Sequence, residues 1–112
     1  MQPVLLTRAH RARLTANAAR RGDDHRPVVK LFTPDANATW LLTELDADGI
    51  AFGLCDLGHG FPELGTVQLA ELETVRGPCG LPVERDRHWR AKAPVSAYAD
   101  AARTAGRITD PA

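Results

Sequence analysis

The sequence predicts an α+β fold, a small antiparallel sheet of four to five strands with N-terminal and C-terminal helices packed on it. The 112 residues are 44% hydrophobic and 25% charged, which is the composition of one soluble domain spanning residues 1–112. Short segments rich in β-forming residues follow one another in the middle of the chain, with turn signals between them. Alanines recur at helical spacing near both ends. This order of elements fits an antiparallel sheet flanked by helices.

The first helix is expected to begin after Thr7, whose side chain can cap it, and to run to about Arg20, with Gly22 as its stop. Four of its alanines repeat at helical spacing: Ala9, Ala12, Ala16 and Ala19. Because alanines form a smooth surface, we expect this face to lie close over the sheet.

Three strands are expected in succession, at residues 28–33, 39–45 and 50–57. Residues 46–49, Asp-Ala-Asp-Gly, are typical of a hairpin loop between the second and third strands. Along the third strand the two faces differ in size, with Ile50, Phe52 and Leu54 on one and Ala51, Gly53 and Cys55 on the other. The contrast predicts a central strand whose small-residue face is covered by an alanine-lined helix. It also predicts that Cys55 is a buried structural cysteine.

Four shorter segments follow. Residues 58–65 are expected to form a glycine-rich loop, and residues 66–69 a fourth strand. Residues 70–76 are expected to form a short helix. Residues 81–90 are expected to form an extended strand, and because charges occur on both of its faces, it suits a sheet edge or a protruding ribbon.

The last helix is expected to follow Pro94, with Ser96 as its cap and Gly106 at its end. One of its faces carries Tyr98, Ala101, Ala102 and Ala105. We expect this face to cover the sheet as well.

The charges are balanced in number but segregated along the chain. Fourteen basic and fourteen acidic residues give a net charge of zero, which excludes a polycation that coats nucleic acid by bulk charge. Residues 1–30 hold seven basic and two acidic residues, residues 31–75 hold eight acidic and no basic ones, and residues 76–112 hold seven basic and four acidic ones. These thirds either match one another within the fold or present two opposed patches to different partners.

The composition also bears on compartment and cofactors. The longest apolar stretch, residues 50–55, is far too short to span a membrane, and the N-terminal residues lack the features of a signal peptide. Two cysteines that form no close pair predict neither a disulfide scaffold nor a zinc finger. We therefore expect a cytoplasmic protein with no cofactor, no bound metal and no membrane partner.

One candidate site lies on the charged segment near the C-terminus. Glu84, Asp86 and His88 alternate, so a strand would place them on one face. Joined by Asp56 and Glu63, they could bind a divalent metal or act as acid and base, as in a small hydrolase or nuclease. The alternative is a solvated ribbon whose arginines pair with acids on neighbouring strands.

A second candidate site is the basic first helix. Four of its arginines could contact nucleic-acid phosphates: Arg8, Arg11, Arg13 and Arg20. The helix offers no aromatic side chain for base stacking, which favours a solvated face instead. Trp89 lies in an otherwise polar segment, and an exposed tryptophan is typical of a binding surface.

The third candidate site is the loop of residues 58–65. Its three glycines and one proline set the backbone geometry rather than build a core. The loop can therefore present Phe61 beside Glu63 to a protein partner. In the alternative interpretation Phe61 folds inward as a plug and Glu63 caps nearby backbone N–H groups.

Long stretches of the chain resemble a known family. These are residues 28–36, 38–44, 52–58, 60–65, 81–86 and 94–98. Over about residues 4–108 the chain is similar to the bacterial domain-of-unknown-function family 2958, short proteins often carried on plasmids and other mobile elements. The resemblance implies a small cytoplasmic accessory protein and brings no established activity. His59 stands where relatives are expected to carry an apolar residue, which argues against a catalytic role for it.

The first hypothesis is a non-enzymatic module that binds a protein of the host or of the mobile element, such as a defence or restriction component. Its acidic middle segment could mimic nucleic acid toward a basic partner. The alternatives are a nucleic-acid-binding accessory protein and a small metal-dependent hydrolase or nuclease. The sequence predicts no oligomeric state.

Overall fold

The computed structural model describes residues 4–111 and contains three helices and five strands in that part of the chain. The helices are α1 (Arg8–Ala18), α2 (Leu69–Leu72) and α3 (Val95–Ala105). The strands are β1 (Val29–Phe32), β2 (Thr39–Leu45), β3 (Ile50–Asp56), β4 (Glu63–Gln68) and β5 (Glu84–Arg85). They form one antiparallel sheet in the order β4-β3-β2-β1-β5, so β4 and β5 are its two edges. The predicted α+β fold with terminal helices is confirmed.

Helix α1 begins where the sequence predicts, because Thr7 makes a capping box. Its hydroxyl oxygen accepts the His10 backbone N–H at 3.1 Å, and His10 Nδ1 accepts the Thr7 backbone N–H at 3.2 Å. Two of the N–H groups that every helix start leaves without a partner are thereby satisfied. The helix ends at Ala18, slightly before the expected end at Arg20.

The expected packing face of α1 is wrong. Its four regularly spaced alanines, Ala9, Ala12, Ala16 and Ala19, are all exposed. The helix contacts the sheet through Leu14, which is fully buried, and through Asn17, whose Nδ2 donates to the Thr43 carbonyl at 2.9 Å. Since one buried leucine removes more apolar surface from water than an alanine does, Leu14 decides which face turns inward.

The β2–β3 hairpin forms as predicted. The Asp46 carboxylate accepts the backbone N–H groups of Asp48 and Ile50, each at 2.9 Å, and Gly49 takes a positive φ of 80°. The register shifts between Leu42 and Glu44, so Glu44 lies opposite Phe52. At this irregularity Gly53 comes so close to β2 that a Cβ would overlap the Leu41 carbonyl oxygen.

Both faces of the sheet are covered. On the α1 side, the sheet packs against leucines from α1, α2 and the segment before α1: Leu5, Leu6, Leu14, Leu69 and Leu72. On the α3 side, Leu41 and Leu54 pack against Val95, Tyr98, Ala99 and Ala102. We call these the α1 side and the α3 side below.

The size contrast along β3 matters, but in the opposite sense to the expectation. The small residues Ala51 and Cys55 face the leucines of the α1 side, while Leu54 faces the alanines of α3. Large side chains thus oppose small ones across both interfaces, which fills space without voids or overlap. The alanine-lined helix covers the large-residue face of β3.

Elements after β3 differ from prediction mainly in length. Strand β4 begins three residues before the expected Thr66 and takes Glu63 out of the loop, and α2 is a single turn. Strand β5 comprises two residues of the expected ribbon 81–90, because it pairs only with Leu31 and Phe32 of β1. Beyond it, the Asp86 carboxylate accepts the His88 N–H at 3.1 Å and starts a turn.

Helix α3 follows Pro94 and ends at Gly106, whose φ of 76° is the left-handed conformation expected of a C-terminal glycine. Ser96 is not its cap. The Ser96 backbone N–H and hydroxyl both donate to the Asp24 carboxylate, which lies between α1 and β1. Within residues 4–111, no helix is both long and apolar enough to cross a membrane.

Candidate functional site

The residues proposed for binding from the sequence do not form one site. Phe61 and Glu63 lie at the β4 edge, and Glu84 lies on β5 at the other edge. Asp86, His88 and Trp89 follow β5 through its turn, so the three alternating charges do not share a strand face. Asp56 ends β3 in the interior of the sheet. The candidate residues are therefore spread over both sheet edges and the interior of the sheet.

One cleft contains two of the candidate acids, but their carboxylates are engaged. It measures about 770 Å³ and is lined by Asp56, Asp86, Lys30 and Arg107, among others. Asp56 is 3% exposed and accepts the Gly58 N–H at 2.8 Å and the Ile108 N–H at 3.0 Å, one on each oxygen. Asp56 thus fastens the segment after α3 to the end of β3.

No described side chains form a candidate metal centre. Among residues 4–111 no three His, Cys, Asp or Glu side chains lie close enough to hold an ion. Cys55 packs on the α1 side, and burial raises the pKa of its thiol, as suits a structural cysteine. His59 is exposed in the loop between β3 and β4.

The β4 edge is open and carries exposed apolar side chains. Within the described chain, β4 makes backbone hydrogen bonds only to β3, which leaves its outer row of N–H and C=O groups without partners. Phe61 is 80% exposed, Leu57 60% and Leu64 45%. Phe61 is therefore not an inward plug, and Glu63 accepts no hydrogen bond from residues 4–111.

Beside this edge, on the α3 side, lies an apolar groove of about 530 Å³ with an acidic rim. Its apolar lining is Ile50, Phe52, Leu64 and Val95, and its acidic lining is Asp23, Asp24, Glu44 and Asp46. We call it the acidic groove. The sequence predicted no groove at this place, although a lone glutamate within the apolar strand Thr39–Leu45 is a usable signal.

Glu44 is the notable carboxylate of the acidic groove. It is 7% exposed, and it accepts no hydrogen bond within the part of the chain that the structure describes. Its nearest cationic group is Arg21 Nε at 3.8 Å, beyond hydrogen-bonding distance, on a side chain that is 72% exposed. Asp24 and Asp46, by contrast, already accept two hydrogen bonds each. Glu44 is thus a mostly buried residue whose carboxylate still reaches solvent and has no close partner within residues 4–111.

A basic cleft of about 510 Å³ lies near the β5 edge, between α1 and the segment after β5. Its lining contains five arginines and a histidine: Arg13, Arg26, Arg85, Arg87, Arg90 and His10. Asp86 is the one acid in it, and Trp89 forms part of the wall. Partial burial, together with the charges of Arg85 and Arg13, lowers the pKa of His10.

The basic cleft only partly matches the arginines proposed from α1. Arg13 lines it, whereas Arg8 and Arg11 are exposed elsewhere on the helix and Arg20 pairs with Asp23 at 3.0 Å. The remaining arginines of the cleft are Arg26, Arg85, Arg87 and Arg90. They come close to Arg13 because β5 pairs with β1, a two-residue contact that no local sequence pattern signals.

Among residues 4–111, a single long ion pair joins oppositely charged thirds of the chain. Of the four ion pairs among residues 4–111, three each join two residues of the same third: Arg20–Asp23, Lys92–Asp110 and Arg103–Asp100. Only the long Arg21–Glu44 contact links two thirds. Of the two interpretations of the charge pattern, the structure favours opposed patches, with the acidic groove beside β4 and the basic cleft beside β5.

Comparison with known proteins adds the family. A family model described as "Protein of unknown function (DUF2958)" matches residues 5–109, nearly the whole chain. No curated protein and no solved structure matches the sequence of this chain.

Proposed function

The chain belongs to the DUF2958 family of proteins of unknown function, and we propose that it is a non-enzymatic module that binds a protein partner along its β4 edge. The observation that carries the proposal is the open outer row of β4, bordered by exposed Phe61 and Leu64. An extended segment can add to such an edge as a further strand. Proteins usually protect long edge strands, so an unprotected one favours a binding role.

The acidic groove indicates the chemistry of that segment. Leu64 and Thr66 of β4 face it, so alternate side chains of an added strand would lie over it. An arginine or lysine there could pair with Glu44 by displacing Arg21 from its long contact. The apolar lining suits a neighbouring aliphatic or aromatic side chain. The partner segment is therefore basic and partly apolar.

The setting of this interaction follows the family resemblance. Relatives carried on plasmids and other mobile elements would meet both their own machinery and the defence proteins of the host. We propose a partner from one of these two groups. Defence and restriction proteins that handle nucleic acid expose basic segments, which suits the acidic groove.

The experiment is capture of partners from a nuclease-treated bacterial lysate by the immobilised protein. Leu64→Lys should abolish capture, since it removes an apolar side chain of the docking edge and places a positive charge where a basic segment would bind. Leu81→Lys is the matched control, because Leu81 is equally exposed, 43% against 45%, but lies before β5. Equal capture by all three proteins, or none by the wild type, would contradict the proposal.

Glu63→Ala separates a binding role from a structural one. Because Glu63 is exposed and accepts no hydrogen bond from the described chain, we expect its loss to leave the melting temperature unchanged. Capture should weaken at the same time. A melting temperature lowered by several degrees would assign Glu63 a structural role instead.

A further inference from the structure

We propose that the basic cleft is a second binding site, which takes the phosphodiester backbone of single-stranded nucleic acid and stacks a base on Trp89. It lies near the β5 edge of the sheet, whereas the proposed protein-binding edge is β4, and it does not depend on that proposal. It is also distinct from the α1 surface considered from the sequence, of which it includes only Arg13.

The first support is uncompensated positive charge. Arg13 comes from α1, Arg26 from the segment before β1, and the other three arginines from β5 and the turn that follows it. None of the five pairs with a carboxylate within residues 4–111. The one acid in the lining, Asp86, has an oxygen engaged by the His88 N–H. Charge gathered in this way attracts polyanions and holds them by release of their counterions.

The second support is that hydrogen bonds to the backbone hold one arginine of the cleft, Arg85, in a fixed position. Arg85 is half-buried, and its Nη1 donates to the carbonyl oxygens of Leu5 and Val4 at 2.5 and 3.1 Å. A guanidinium has five N–H donors, and those on Nε and Nη2 of Arg85 make no hydrogen bond within residues 4–111. A fixed guanidinium suits the paired oxygens of a phosphate.

The third support is an aromatic platform. Trp89 lines the cleft and packs against Tyr98, with ring centroids 5.8 Å apart and planes inclined by 56°. Tyr98 is buried and accepts the Lys92 N–H on its hydroxyl at 2.9 Å, so the tryptophan rests on a fixed support. A base that stacks on such a ring must be free of its complementary strand, which favours a single strand over a duplex.

The spread of the arginines favours a chain of phosphates over a single one. Three separate segments of the protein contribute them, and one phosphate engages only a few guanidinium groups at once. A cleft of about 510 Å³ accommodates one or two nucleotides, with flanking phosphates along its rim. DNA and RNA share this chemistry, so the experiment includes both.

The test is fluorescence anisotropy with labelled oligonucleotides of about 12 residues, as single-stranded DNA, single-stranded RNA and duplex, at several salt concentrations. The double variant Arg87→Gln/Arg90→Gln should weaken single-strand binding at least tenfold. It should also reduce the salt dependence by about 1 to 1.5 in the log–log slope, since two phosphate contacts are lost. Both arginines are exposed, so the variant is expected to fold.

The matched control is Arg76→Gln/Arg103→Gln, which removes the same charge from exposed positions outside the cleft. It should bind like the wild type. Trp89→Leu should weaken single-strand binding without changing the salt slope, because it removes stacking and no charge. Circular dichroism is used to check that each variant folds.

Three results would overturn the proposal. One is no measurable binding of either single strand at low salt. Another is an equal loss of affinity in the control double variant. The third is equal or tighter binding of the duplex, or of polyglutamate, because either ligand would show a cleft that selects charge alone.

Discussion

Asp35 illustrates how single residues hold distant segments of this protein together. One of its carboxylate oxygens accepts the Cys79 N–H at 2.7 Å and the Leu81 N–H at 3.5 Å, which fixes the loop before β5 to the β1–β2 turn. The other oxygen is buried beside Gly77 without a hydrogen-bond partner in the described chain. A Cβ at position 77 would overlap that carboxylate. Position 77 therefore admits only glycine without displacement of Asp35.

We accordingly predict that Gly77→Ala lowers the free energy of unfolding by roughly 1–3 kcal/mol, because it dislodges a buried charged hydrogen-bond acceptor. Urea unfolding measures the effect. Gly65→Ala is the control, since a Cβ there meets no atom within 4 Å and the backbone is extended. Similar unfolding of both variants would show that Asp35 does not confine position 77.

His10 makes stability depend on pH. Burial, with Arg85 and Arg13 nearby, lowers its pKa from the ordinary value of 6.5, so the folded protein takes up its proton later than the unfolded chain does. As pH falls below 6.5, the unfolded chain binds more protons, and the free energy of unfolding must decrease. The decrease ends once pH passes the lowered pKa. Protonation also opposes the capping box, in which Nδ1 is an acceptor.

The prediction is tested with His10→Gln, whose amide oxygen can keep the capping box and cannot titrate. Between about pH 7.5 and about pH 5.5, the wild type should lose stability in urea unfolding, and the variant should lose less. An identical loss in both proteins would exclude His10 as its source.

At the scale of elements, the sequence predicted where helices and turns begin and end better than it predicted which helix face packs on the sheet. Thr7, the Asp46–Gly49 loop and Gly106 were identified correctly, because each acts on backbone within a few residues of itself. The inward face of α1 was not identified correctly, because it depends on which side chains of the sheet the helix packs against. Four evenly spaced alanines form a regular pattern, but Leu14 contributes the larger burial.

A pair of leucine substitutions tests that orientation. Ala51→Leu should overpack the buried α1 side and lower stability by roughly 1–3 kcal/mol. Ala12→Leu should change stability by less than about 0.5 kcal/mol, because Ala12 is exposed and surface changes are usually small. Thermal melts compare them. Comparable destabilisation by both substitutions would indicate that the alanine face of α1 is buried after all, in contradiction to this orientation.

The candidate sites were predictable only in part, for a physical reason. The loop at Phe61 was visible, because glycine and proline mark an exposed turn within eight residues. The basic cleft was not, because its arginines come from three segments joined by the short β1–β5 pairing. Glu44 likewise lines the acidic groove because the register shift after Leu42 turns its side chain toward the α3 side, which the sequence does not indicate.

For the whole molecule, opposite charges line two separate sites, although Asp23 and Asp24 of the acidic groove come from the basic N-terminal third of the chain. The sheet separates an acidic groove beside β4 from a basic cleft beside β5, and few ion pairs neutralise either. The net charge of zero is therefore compatible with two locally charged surfaces. The two proposed sites would together bring a basic protein segment and a nucleic acid onto one molecule.

The most direct measurement is a residue-resolved map of backbone amide chemical shifts during two titrations. Single-stranded oligonucleotide should shift residues of the basic cleft, such as Arg13 and Arg87. A basic, partly apolar peptide should shift residues of the β4 edge, such as Leu64 and Thr66. The account predicts two sets of residues that do not overlap, each unaffected by prior saturation with the other ligand. A single shared set, or competition between the two ligands, would contradict it.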